Sequence, residues 1–370
     1  MTMEEYPVLT RARWDDQLVS LSHLAEELGV DTIVLRDPLN LSWFTGARWH
    51  VPLTLNTACF DLVLTGLGPG NIPGVRVVTN AIEVPRLRDI EFAGQDVEFD
   101  VVPWTENRAS RLPTGRSVAV DIADGASVDV QADVAGLRRI LNEKQRADLT
   151  DLSADLARIT GDFVSALRPG ITEQNIAGTL IAALLKEGIE CVAIFVGSDE
   201  RIGAHRHPLP TSNTAHDRVL VACCGRRRGL VGTITRMASF KPLRSEARKY
   251  VALLEVERAF LDYSQPGAVL GEVFSRGANA YAANSFDPDE WHRHHQGGIT
   301  GYSPRELIAT PDTDLVLQEG MVLGWNPSAT GFKVEDTALV TATGVDILTV
   351  DSRWPSLNIG GRERPDVLEL

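Results

Sequence analysis

Residues 220–239 read LVACCGRRRGLVGTITRMAS, and the rest of the chain is organised around this stretch. Two strand-like runs, 220–224 and 233–239, flank Arg226-Arg227-Arg228-Gly229, whose charge and glycine suit a solvated hairpin tip. Cys223 and Cys224 are adjacent in the first run, so they face opposite ways and do not pair with each other. On either side lie helices that stop at a Pro-Gly pair. Upstream, Leu152, Leu156, Ile159, Phe163 and Leu167 form one apolar stripe in a helical region that begins around Asn142 and ends at Pro169-Gly170. Thr172 then caps a second helix through Leu185, with Gly188 beyond its end. Downstream, 246–263 reads as a helix stopped by Pro266-Gly267, and 271–284 as another. The repeated order hints at an internal duplication. Strands near 322–325 and 337–341 follow.

The first third of the chain has a different rhythm. Residues 14–28 carry Leu18, Leu21, Leu24 and Leu28 near helical spacing, and 31–35 reads as a short buried strand. Further strands are expected at 58–65, 75–79 and 117–122, with a turn at Gly68-Pro69-Gly70. These make an α/β layer, a mixed sheet flanked by helices. Two domains follow, 1–137 and 138–370, and 370 residues suffice for two cores. Hydrophobic content of 44% and charged content of 23% fit a soluble globular protein, and the net charge of −14 argues against nucleic-acid or anionic-membrane partners. No apolar run approaches the ~20 residues of a membrane span, and residues 1–13 lack an apolar signal core. Cys59, Cys191, Cys223 and Cys224 show neither disulfide nor zinc spacing, so a reducing cytoplasm is expected.

Five motifs occur in a recognisable order. They are Asn40-Leu41-Ser42-Trp43-Phe44-Thr45-Gly46, Arg168-Pro169-Gly170-Ile171-Thr172-Glu173, Gly232-Thr233-Ile234-Thr235-Arg236, Gly320-Met321-Val322, and Glu335-Asp336-Thr337 followed by Gly344. Together they resemble the family of creatinase, prolidase and aminopeptidase P. The resemblance implies an α/β creatinase-like N-terminal domain and an α+β pita-bread C-terminal domain. It also implies a homodimer in which the N-terminal domain, through Trp43, Trp49 and His50, approaches the partner's pocket.

The departures matter as much as the matches. In the family's metallopeptidases two aspartates, a histidine and two glutamates hold two divalent ions. Position by position, the first aspartate falls on Ala222 or Cys223 and the second on Thr233. The histidine falls near Gly298, the first glutamate on Asn326, and only the second glutamate survives, as Glu335. A hard two-metal centre needs several anionic oxygens to offset repulsion between the ions and replace their water. The expectation is therefore no metal pair and no cofactor. Creatinase, a metal-free hydrolase of a small guanidino substrate, is the family precedent.

Candidate residues follow from the same reading. His205 and His207 lie in a segment resembling the family's His-x-x-Pro-Thr, and either suits acid–base work with an unperturbed pKa near ~6.5. Glu335 would orient water or a cationic group, unless it is a buried carboxylate satisfied by Arg236 or a backbone donor; Asp336 would face the other way. Arg305, where the peptidases carry a second pocket histidine, would grip an anion or else bridge Glu306 or another acid. His295, in His294-His295-Gln296-Gly297-Gly298, is expected as a substrate contact rather than a metal ligand. Asn326 and Thr233 would hydrogen-bond an organic ligand. Cys223 as a nucleophile is weighed against simple burial. The leading expectation is a metal-independent, creatinase-like hydrolase acting on a C–N bond of a small polar metabolite. The alternatives are a non-catalytic protein that binds a metabolite or protein partner, and an Xaa-Pro aminopeptidase with an unconventional metal site built from His294, His295 or Cys223.

Overall fold

The computed structural model describes residues 14–51, 55–329 and 331–370. The chain divides into two compact units, one ending at Arg138 and the other running Arg139–Leu370. In the first, β1 (Thr32–Leu35), β2 (Phe60–Thr65), β3 (Gly74–Asn80), β4 (Glu98–Val102), β5 (Val118–Val120) and β6 (Val128–Asp129) form one sheet in the order β4-β3-β2-β1-β5-β6. β1 pairs antiparallel with β2 and parallel with β5, and all four of its residues are buried. The helix Asp15–Leu28 ends at Gly29, whose φ of 66° supplies the left-handed cap that glycine adopts without penalty.

The Asn-Leu-Ser-Trp-Phe-Thr-Gly motif forms the helix Pro38–Thr45, started by the Asp37 carboxylate, which accepts from the Leu39 and Asn40 amides. Asn40 is fully buried and donates to Asp121 at 2.9 Å. The motif is thus a packing device. Trp43 and Trp49, expected to reach a pocket, are 4% and 7% exposed, and Trp43 lies within the helix rather than in a loop. The His50 ring meets Trp49 edge-on at 5.2 Å.

The second unit begins with the helix Glu143–Ser165. Its start is a full capping box, Asn142 accepting from the Gln145 amide while the Gln145 side chain accepts from the Asn142 amide. The helix Glu173–Lys186 starts at Thr172, whose hydroxyl accepts from the Asn175 amide at 3.2 Å. The strands are β7 (Glu190–Ser198), β8 (Arg218–Arg227), β9 (Leu230–Ser239), β10 (Gly297–Thr300), β11 (Leu307–Ile308), β12 (Val322–Trp325), β13 (Ser328–Ala329), β14 (Phe332–Lys333), β15 (Glu335–Asp336), β16 (Ala338–Thr341), β17 (Gly344–Ile347), β18 (Ser356–Ile359), β19 (Arg362–Pro365) and β20 (Leu368–Glu369). One sheet runs β15-β9-β8-β7, with β20 also pairing β9, and another runs β11-β10-β12-β16-β17. The helices Ala247–Tyr263 and Leu270–Ala283 supply one wall of the main core, where Phe260 stacks on Trp325 at 4.6 Å. No described helix is long and apolar enough to cross a membrane.

The β8–β9 hairpin is longer than its apolar runs suggest, and turns at Arg228 (φ 52°) and Gly229 (φ 82°). Two left-handed residues match the twist of the flanking strands. The basic tip is not merely solvated, as the sequence suggested. Arg226 pairs with Glu190 at 2.8 Å, Arg227 with Asp155 at 2.8 Å and Arg228 with Asp148 at 2.7 Å. The three arginines therefore fasten the hairpin to β7 and to the helix Glu143–Ser165.

Candidate active site

Register decides which hairpin residues share a face. Cross-strand partners project to the same side of a sheet, and β8–β9 pairs Ala222 with Thr235 and Cys224 with Thr233. Thr235 also pairs with Glu335 of β15, and its hydroxyl donates to the Glu335 carboxylate at 3.4 Å. Ala222, Cys224, Thr233, Thr235 and Glu335 therefore share one face. Cys223 lies on the other, its sulfur 3.8 Å from the Thr160 hydroxyl. Of the two positions left open for the family's first aspartate, Ala222 is on this face and Cys223 is not. The nucleophile idea also fails on chemistry, since burial drives the Cys223 thiol well above its ordinary pKa.

Glu335 is buried and held by two cations. Arg305 donates to it at 2.6 Å and Lys333 lies 3.0 Å from its other oxygen. Burial alone would raise its pKa, but the charges of Lys333 and Arg305, and their hydrogen bonds, outweigh burial and hold it far below the usual carboxylate range. The sequence offered Arg236 as its partner. Instead, Arg236 pairs with Asp336 at 2.9 Å on the opposite face, where Arg364 bridges Asp336 and Glu257. Arg305 bridges Glu335 rather than Glu306. Lys333 was missed, although the signal was present: it sits two residues before Glu335, and alternation along extended chain puts both on one side.

Above this ion cluster stand three imidazoles. His207 Nε2 lies 3.0 Å from His294 Nε2, and one ring nitrogen from each of His207, His294 and His295 lies within 4.8 Å of the others. His207 is stacked on Phe195 at 4.6 Å between ring centres. The second nitrogen of His294, Nδ1, is 3.1 Å from the Ser328 hydroxyl, which accepts from Arg206 at 3.2 Å. Arg206 in turn is anchored on Glu290. Desolvation, then the charge of Lys333, lowers the His294 pKa to about 2; desolvation, then Arg305, lowers that of His295 to about 4. His207 is shifted down by the same two causes as His294. In all three rings these causes favour the uncharged form. His205 and His207 are both exposed, and of that pair His207 belongs to the cluster.

Among the described residues, the buried Thr233 hydroxyl, His295 Nδ1, Arg305 Nε and Asn326 Oδ1 have no hydrogen-bond partner. Buried polar atoms are rarely left so, and these four belong to the seven site residues singled out from sequence. Gly324 brings two of them together. A Cβ there would lie 3.0 Å from Arg305 Nη1 and 3.2 Å from the Thr233 hydroxyl. Gly297 is stricter: at φ 108° an added Cβ would fall 2.0 Å from the Gly324 carbonyl oxygen. Gly297→Ala is expected to cost at least about 3 kcal/mol. Chemical denaturation would detect this, and a loss under about 1 kcal/mol would show that β10 shifts to relieve the contact.

The model of metallopeptidase family M24 matches residues 153–342, just over half of the chain. The chain belongs to that family. An uncharacterized peptidase of Staphylococcus aureus strain MW2 is 23% identical over 366 residues, covering 90% of this chain and 99% of that protein. Among solved structures, the prolidase from Pyrococcus horikoshii OT3 superposes with a TM-score of 0.75 at 16% identity, covering 91% of this chain and 99% of that one. The dipeptidase PepE from Mycobacterium ulcerans gives 0.74 at 20% identity, with 97% and 98% covered. These likenesses establish the two-domain pita-bread fold of the M24 peptidases.

The sequence reading sets the five ligand positions of the family's two-metal centre at Ala222 or Cys223, Thr233, near Gly298, Asn326 and Glu335; of these, Thr233 and Asn326 offer neutral oxygens, and Ala222 and Gly298 no donor side chain. Glu335 is already bonded to Arg305 and Lys333. The charges of half-buried Arg305 and buried Lys333 beside this one carboxylate oppose a pair of dications there.

Proposed function

We propose that this M24 protein is a hydrolase that opens a C–N bond in a small, carboxylate-bearing polar metabolite without the family's two-metal centre. The observation that carries the reading is the pairing of the single carboxylate of Glu335 with two cations, Arg305 and Lys333. With neutral imidazoles above, the cluster keeps a net positive charge and favours an anionic group. Arg305 Nε–H and the remaining Lys333 protons suit the substrate carboxylate, while Thr233, His295 and Asn326 supply uncharged hydrogen bonds to the rest. Glu335 positions the two cations. Its depressed pKa makes it a weak base, so the proton falls to His207, the exposed member of the imidazole group. Water adds to the scissile carbon as its proton passes to His207; the C–N bond then breaks and the leaving nitrogen takes that proton back. A homodimer is part of the same proposal, and its mass in solution tests it.

The experiment is a turnover screen by mass spectrometry across guanidino acids, N-acyl amino acids and Xaa-Pro dipeptides, with and without added manganese or cobalt. The expected result is hydrolysis of a carboxylate-bearing C–N substrate that needs neither addition and is lost in Lys333→Met. Cleavage confined to Xaa-Pro dipeptides with manganese or cobalt would overturn the proposal. A metabolite that binds unchanged would favour the non-catalytic alternative, which the ion-paired state of Glu335 also supports.

A further inference from the structure

We propose that His207, His294 and His295 form a binding site for a single divalent transition-metal ion of the zinc, cobalt or nickel class. The inference rests on the reading that the family's carboxylate centre is not assembled here, and it describes a loaded state in which His207 and His295 hold the ion and no longer take the proton or contact substrate as in the metal-free turnover. Three imidazole nitrogens lie within 4.8 Å of one another, and the His207 and His294 Nε2 atoms are 3.0 Å apart. Zinc–imidazole bonds of about 2.0–2.1 Å at tetrahedral angles separate ligand nitrogens by about 3.3–3.4 Å. The two rings need open by only a few tenths of an ångström. Imidazole selects these metals, whereas magnesium, calcium and manganese favour oxygens that this set lacks.

The shell behind the rings is already built for ligation. A metal-bound histidine uses its other ring nitrogen in a hydrogen bond that fixes its orientation. His294 does so through Nδ1 to the Ser328 hydroxyl, which is itself tied to Arg206 and, behind it, Glu290. His207 is held by its stack on Phe195. His295 follows His294 directly, with ring centres 4.7 Å apart and tilted by 42°, so the two adjacent rings converge despite their sequence adjacency. Its buried Nδ1 is without a partner among the described residues. Three protein ligands leave a fourth position, on the side where His207 is exposed, for water or substrate. Lys333 and Arg305 oppose a bare dication, and Glu335 offsets one of them. The balance favours an ion whose fourth ligand is an anion, hydroxide or a substrate carboxylate.

The test uses untagged full-length protein equilibrated with zinc or cobalt sulfate, desalted and assayed by elemental analysis, with visible absorption of the cobalt form. The expected result is about one equivalent per chain and a four-coordinate cobalt spectrum. Retention should fall more than about tenfold in both His207→Ala and His294→Ala and survive in Thr233→Ala. Less than about a tenth of an equivalent in the unaltered protein would overturn the site. So would retention in both histidine variants, or about two equivalents lost with Thr233→Ala, which would return the metal to the family position. The cobalt spectrum of the unaltered protein keeps the question decidable if a variant does not fold. None of these readouts needs a substrate, so failure here is distinct from failure of the turnover screen.

Discussion

Glu335→Gln is expected to destabilise the second unit by about 3–5 kcal/mol, the range for breaking a buried ion pair on one side only. The substitution is nearly isosteric, so the loss does not come from a cavity. It comes from leaving Arg305 and Lys333 facing each other with their shared carboxylate neutralised. Lys333 is 4% exposed and Glu335 3%, so water cannot take over the screening. Adding Lys333→Met to Glu335→Gln removes one of the two stranded cations and should recover a substantial part of the loss. A double variant that is no more stable than Glu335→Gln in chemical denaturation would show that the charges are not coupled. The acid limb carries the same signature. Because the folded-state pKa of Glu335 is depressed, its contribution is complete above the unfolded carboxylate range near ~4.5 and is lost as pH falls below it. The double variant should lose less stability over that interval than the unaltered protein.

Asp336→Asn is expected to cost about 3 kcal/mol, for a related reason on the opposite face of the same strand. Asp336 accepts from Arg236 at 2.9 Å, from Arg364 at 2.6 Å and from the Thr349 hydroxyl at 2.6 Å, all in the interior. Arg364 keeps Glu257 after the change, with contacts of 2.6 and 2.8 Å. Arg236 keeps hydrogen bonds to the Thr235 and Thr349 carbonyls and its place over the Trp354 ring, yet a buried guanidinium loses its directly bonded counter-charge. Arg236→Met combined with Asp336→Asn should therefore be less damaging than Asp336→Asn alone. A cost below about 1 kcal/mol for Asp336→Asn would indicate that Glu257 neutralises both arginines.

Much of the architecture was legible because it is written in local signals. Asn142 and Thr172 announce their helices by capping chemistry, Pro169-Gly170 and Pro266-Gly267 end them, and Glu335 and Asp336 face apart because a strand alternates. What local signals cannot carry is the pairing of distant residues. Arg305 meets Glu335 across 30 positions, and His207 meets His294 across 87. Which of Ala222, Cys223 and Cys224 faces the site depends on the register of β8 against β9, and a one-residue slip would reverse the answer. β7 carries a continuous apolar run at 191–196, which periodicity alone does not distinguish from a buried helical segment.

The placement of Arg305 and Lys333 also constrains how such a protein and its metal-binding relatives can be interconverted. Restoring carboxylates at Thr233 and Asn326 would first give the two resident cations new anions to bond, leaving a dication no vacancy. The lysine and arginine would have to go before the acids arrive, yet their departure strands Glu335 as an unpaired buried charge. Each order of single steps crosses an unstable intermediate.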